Sequence, residues 1–217
     1  MNSREISLPL RGCRPTFIGV YGADDLRGVV VKIRGNTKPV LFVVNVHETS
    51  NRAMGHWVTF YVSSSTLAFL DSFALPIESY GKHFTYFKTQ LHHLTYLHLP
   101  YRVQSLHSLT CGAYAVYFVS QICKYGLRRG LQHFFLFFKR GSFSANDTNV
   151  LYYTYKFFTP MPPCIPTFGR KDCLRLKKVG KKKKTIEKIH ICTFIDNRTL
   201  IFLFSFIKGT TMPTMRM

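Results

Sequence analysis

The chain has 217 residues, enough for one domain of ordinary size with an extension, and 46% hydrophobic and 15% aromatic content excludes a disordered chain. Lys and Arg number 30 against 10 Asp and Glu, a formal net charge of +20, which points to polyanionic partners, nucleic acid first and an anionic membrane surface second. Residues 1–160 hold 17 basic and 7 acidic residues and residues 161–217 hold 13 and 3, so the last quarter carries half the charge. The six cysteines, Cys13, Cys111, Cys123, Cys164, Cys173 and Cys192, form no CxxC pair and no Cys/His cluster of structural-zinc spacing, so no metal site is expected. Met1 to Glu5 lacks the apolar core of a signal peptide, and scattered cysteines then suggest free thiols in a reducing compartment. The apolar run Thr199 to Ile207 is too short to span a bilayer as a helix, so no membrane span is expected.

Residues 1–28 are rich in glycine and read as an irregular opening with one short apolar segment, Phe17 to Tyr21. Gly28 to Arg34 reads as a β-rich stretch because of its consecutive valines, and Gly35-Asn36 as a turn. Pro39 to Val46 is almost continuously apolar and β-branched, the pattern of a strand buried on both faces in the middle of a sheet. His56 to Val62 and Thr66 to Phe73 flank the turn Ser63-Ser64-Ser65 and predict an antiparallel hairpin. Such a pairing brings His56, at the start of the first strand, beside Asp71, at the end of the second.

Pro76 to Leu94 carries Ile77, Tyr80, Phe84, Phe87 and Leu91 at helical spacing and predicts an amphipathic helix. Leu97 to Val103 is a short strand candidate leading into Gln104. Cys111 to Tyr125 is apolar almost all round and predicts a buried central helix that ends at Gly126. Two aromatic, weakly basic helices are expected over 127–138 and 146–158. The proline cluster from Pro160 to Pro166 closes this domain, and residues 161–217 read as a basic, disordered tail. Its Lys181, Lys182, Lys183 and Lys184 are candidate DNA contacts or a nuclear-import signal, against a solvated tail with no dedicated partner.

Cys111 falls where a polar loop meets the helix, and unpaired N–H groups and the helix dipole at that position favour a thiolate. Alone, a cysteine there is more often packing than chemistry. Conjunction changes the reading, because acyl chemistry needs a nucleophile, a base, a group that orients the base and donors for the oxyanion. Cys111, His56, Asp71 and Gln104 with the Cys111 N–H can fill these roles, and all four fall at the ends of predicted elements, where sites concentrate.

The order His56-Trp57, then Asp71 closing the next strand, then Gln104 seven residues before Cys111-Gly112, resembles the adenovirus proteinase (adenain) type of cysteine protease. Related enzymes occur in adintovirus and polinton-like elements, and Ulp/SENP-type SUMO proteases share the catalytic order. Phe17-Ile18-Gly19-Val20-Tyr21 is similar to the entry segment of the adenoviral enzyme, and the resemblance covers residues 13 to about 160. It implies an α+β adenain/Ulp-like fold with a mixed central β-sheet flanked by helices and the nucleophile at the N-terminus of a buried helix. It further implies a monomeric endopeptidase that needs no cofactor for chemistry, takes DNA as an activator and cleaves viral structural precursors during virion maturation, in the host nucleus or virion. Two departures stand out. Asp71 occupies the position where adenoviral enzymes have Glu, as in the SUMO branch, and no cysteine lies between Cys13 and Cys111 to take the disulfide-linked activating peptide of the adenoviral enzyme. Alternative readings are a SUMO or ubiquitin-like deconjugase and a catalytically inactive DNA-binding protein.

Overall fold

A computed structural model describes residues 1–13, 16–34, 36–51 and 55–155, and the backbone of 190–196 and 199–205. In chain order the elements are α1 (Ser3–Ser7), β1 (Phe17–Tyr21), α2 (Leu26–Arg34), β2 (Val40–Asn45), β3 (Trp57–Val62), β4 (Thr66–Leu70), α3 (Lys82–Gln90), β5 (Thr95–His98), α4 (Cys111–Phe137) and α5 (Phe143–Tyr155), followed by β6 (His190–Asp196) and β7 (Thr199–Ser205). The protein is α+β. Its mixed sheet has the order β1-β2-β3-β4-β5-β7-β6; the first five strands follow chain order, with β1 parallel to β2, β2–β3 and β3–β4 antiparallel, and β4 parallel to β5.

Strand alternation sends side chains to two separate cores. Leu41 and Val43 face a core with Tyr114, Phe118 and Phe134 of α4, whereas Val40, Phe42 and Val44 face Leu26 and Val29 of α2 and Phe84 and Phe87 of α3. The continuous apolar run of β2 is thereby explained, since helices cover both faces of the sheet. Phe42 and Phe60 stack at 5.0 Å with Phe87 against both, and each buried phenylalanine contributes roughly 1.5 to 3 kcal/mol by leaving water.

The β3–β4 hairpin forms as its sequence predicts, with Thr59 opposite Leu70 and Val62 opposite Leu67. Gly28 to Arg34 does not form a strand. It lies in α2, where Leu26, Val29, Val30 and Ile33 repeat with helical period and the first three are buried, so amphipathic burial outweighs the β preference of consecutive valines. The irregular opening contains α1, closed by a reciprocal cap between Asn2 and Glu5. The helix expected over 76–94 is interrupted by Gly81 at φ 89°, giving a 3-10 turn over Ile77–Tyr80 before α3. The strand expected from Leu97 to Val103 is instead β5, which starts two residues earlier and ends at His98.

α4 is two helical segments joined at Gly126, whose φ of 76° and ψ of 168° are not helical. The second segment doubles back on the first. Phe134 stacks on Phe118 at 4.4 Å and Phe138 packs on Tyr114 at 5.1 Å, while a Cβ on Gly130 would come within 3.0 Å of the Ile122 backbone. The expected end of the buried helix at Gly126 is therefore a helical hairpin. Within residues 161–217, β6 and β7 pair antiparallel and β7 lies parallel to the edge of β5, with Tyr96 opposite Thr199. Both strands are rich in β-branched and aromatic residues, which suit a pleated ladder. Lys181 to Lys184 and the proline cluster lie outside the described residues.

Candidate active site

Strand ends position the first pair of side chains. His56 immediately precedes β3, Asp71 immediately follows β4, and the hairpin register brings His56 Nε2 to 2.6 Å from Asp71 Oδ1. Gly55 makes this approach possible, since a Cβ there would lie 1.9 Å from Asn45 Oδ1, an oxygen that already accepts the His47 N–H. Asp71 is 1% exposed. Its carboxylate also accepts the N–H groups of Phe73 and Leu75 and the Tyr80 hydroxyl, at 2.8 to 2.9 Å. The turn that wraps it contains Ala74 at φ 56°, a left-handed conformation seldom adopted by a residue with a Cβ. The His56 ring stacks on Phe73 at 4.6 Å and on Tyr80 at 5.9 Å, so both its plane and its Asp71-facing edge are fixed.

Cys111 opens α4 and is 8% exposed. Burial alone would raise its pKa, but the hydrogen bond and charge of His56, with the N–H groups of Trp57 and Gly112, hold it below the ordinary thiol value. For His56, burial alone would lower the pKa, yet Asp71 and Cys111 push it up to about 9. With Nε2 bound to Asp71, Nδ1 is the ring nitrogen left for Cys111. The geometry favours a thiolate–imidazolium pair. Cys13 provides the contrast: burial and a hydrogen bond with Cys123 push its thiol up to about 12.

Gln104 is fully buried and its amide is locked. Oε1 accepts the Ser72 hydroxyl at 2.5 Å, and Nε2 donates to the Ser108 carbonyl at 2.9 Å. Because a carbonyl can only accept, this bond fixes which end of the amide is nitrogen. One Nε2 hydrogen is engaged by Ser108, and the group carries a second. Gly112 of the Cys-Gly pair packs against Met1, where an added Cβ would come within 2.9 Å of the Met1 Cβ, and the Trp57 indole N–H donates to the Met1 carbonyl at 3.0 Å.

The structure thus brings His56 and Asp71 into contact and places Cys111 close enough to His56 for each to shift the other's pKa, with Gln104 held at the start of the loop that ends at Cys111. His107 in that loop is exposed. Sequence reasoning missed Tyr80 and Phe73, which clamp the histidine, and Asp147, which binds the loop. Asp147 carried a signal: it is the only acidic residue between Glu78 and Asp172. Among the described residues no group of three His, Cys, Asp or Glu side chains is placed to hold a metal ion, and no helix is long and apolar enough to cross a membrane. Compared with protein-family models and with curated proteins, the sequence matches none.

Proposed function

We propose that the chain is a cysteine endopeptidase of the adenain type, and the observation that carries the reading is His56 bridging a buried Asp71 and a thiolate-prone Cys111. The Cys111 sulfur attacks the scissile carbonyl carbon, a C–S bond forms, and the carbonyl electron pair moves onto oxygen. The free hydrogen of Gln104 Nε2 and the Cys111 N–H receive that oxyanion. His56 passes its proton to the leaving amine as the C–N bond breaks, then takes one from the water that hydrolyses the thioester. Asp71 holds the imidazolium throughout. By the resemblance, the substrates are viral structural precursors cut near glycine-containing sites during virion maturation, in the nucleus or the virion. The net charge of +20 favours DNA as the activator, whose binding should weaken steeply with salt.

Asp71 in place of Glu favours a second reading, a SUMO or ubiquitin-like deconjugase. One assay tests both. Cleavage of a Gly-Gly peptide or precursor protein that vanishes in Cys111→Ala supports the protease, and cleavage confined to a SUMO precursor supports the deconjugase. Undiminished hydrolysis by Cys111→Ala overturns both readings, whereas a wild type that hydrolyses neither substrate leaves a catalytically inactive DNA-binding protein, which a gel-shift series in rising salt would reveal.

A further inference from the structure

The loop from Gln104 to Cys111 has no strand or helix to fix it, yet its polar groups converge on one carboxyl group from a distant element. Asp147, on α5, is buried. Its Oδ2 accepts the Ser105 N–H at 3.2 Å, and its Oδ1 accepts the hydroxyls of Thr110 at 2.9 Å and Tyr114 at 3.1 Å. The residues bound are the one after Gln104, the one before Cys111, and one on the first turn of α4. The neighbouring Asn146 extends the tie, donating through Nδ2 to the carbonyls of Val103 and Lys139 and accepting the Lys139 N–H.

Thr110 makes the consequence specific. It stands at the N-cap of α4, where a threonine hydroxyl ordinarily accepts an N–H from the first helical turn. Here it makes no such bond and is engaged by Asp147 and Ser108 instead. By drawing this hydroxyl away, Asp147 leaves the first turn of α4 without a side-chain cap; the Ala113 N–H bonds the Thr110 carbonyl instead, and the Cys111 N–H is left for an oxyanion.

We propose that Asp147 is the positioning residue of the oxyanion loop: it sets the spacing between Gln104 and Cys111 and keeps the Thr110 hydroxyl off the helix N-terminus. This rests on the protease reading. Asp147 touches neither substrate nor His56, so it acts on stabilisation of the oxyanion and leaves the thiolate–imidazolium pair intact.

The test uses the full chain with Asp147→Ala and the isosteric Asp147→Asn. Turnover is followed on a fluorogenic Gly-Gly peptide and thiolate reactivity by iodoacetamide alkylation of Cys111, which requires no oxyanion. Asp147→Ala is expected to lower kcat about 10- to 100-fold with KM and the alkylation rate each within about twofold. Asp147→Asn keeps an acceptor for Thr110 and Tyr114 and should fall between wild type and Ala. If Asp147→Ala does not fold, Asp147→Asn decides alone. Amide exchange provides a readout independent of turnover, with faster exchange expected over 105–110 and unchanged exchange at His56 and Trp57. Unchanged kcat in folded variants, or an alkylation rate falling in step with kcat, overturns the proposal. A wild type that alkylates at Cys111 but cleaves nothing counts against the protease reading, and the exchange result then still judges the loop.

Discussion

His56 and Asp71 are carried by the ends of adjacent strands, whereas Gln104 and Cys111 are carried by the two ends of a loop. The first pair is set by hairpin register, which a hydrophobic pattern specifies strongly because a one-residue slip would turn the buried face of the strand outwards. The second pair has no register. Its geometry depends on the Ser72 hydroxyl, the Ser108 carbonyl and the Asp147 carboxylate, so it is held by polar groups whose individual contributions are small and whose removal leaves buried partners unsatisfied. A site assembled in these two ways should respond differently to substitutions in each half, and that difference can be measured.

The largest effects belong to the charged pair. If the chain is the protease proposed, His56→Ala removes its base and the partner of the thiolate, and hydrolysis should fall by about four decades or more. Iodoacetamide alkylation at neutral pH should fall with it, since the Cys111 pKa rises once His56 is gone. Gln104→Ala should lower hydrolysis by roughly two to three decades, the usual effect of one lost oxyanion donor, while leaving alkylation unchanged. If alkylation falls equally in both variants, the two halves are not separable.

The pH dependence sharpens the same contrast. A lowered Cys111 pKa keeps the thiolate present below the ordinary thiol range, so the alkylation rate should level off at a lower pH than it does for an ordinary thiol. Hydrolysis also needs the His56 proton for the leaving amine, and because that proton is held up to about 9, turnover should decline through this value while alkylation does not. A thiol titration with its midpoint at the ordinary value would contradict the pair. Gly55→Ala sets a Cβ against Asn45 Oδ1 and should cost about 1 to 3 kcal/mol in denaturant melts, with reduced turnover because the start of β3 must shift. Tyr80→Phe should have the smallest effect, about 1 kcal/mol or a severalfold loss in kcat, because Asp71 retains two backbone N–H donors and His56.

The strand-borne half was legible in the sequence and the loop-borne half only at its two ends. Alternating apolar residues around Ser63-Ser64-Ser65 are enough to bring His56 and Asp71 together, since register follows from period. The consecutive valines of α2 misled because propensity is local, whereas the burial of Leu26, Val29 and Val30 depends on a partner sheet. Gln104 and Cys111 could be named from the order and spacing that carry the resemblance to adenain. What fixes Gln104 could not, because Ser72 and Asp147 are 32 and 42 residues away from the loop groups they bond and neither contact has a sequence period. Gly81 and Gly126 were visible as residues, but whether a glycine interrupts a helix or turns it back on itself depends on the packing around it.

That reversal at Gly126 bears on the order in which the site assembles. Phe118 and Phe134, or Tyr114 and Phe138, meet across a short stretch of chain, whereas His56 must find Cys111 across more than fifty residues. Closing the longer loop costs more entropy, so the α4 hairpin is expected to form early and offer its N-terminus to the sheet as a finished surface. Cys111 would then be in place before His56 arrives, and the thiol would become reactive only on the final docking step. A refolding time course in which Cys111 alkylation lags behind helical circular dichroism would record that interval.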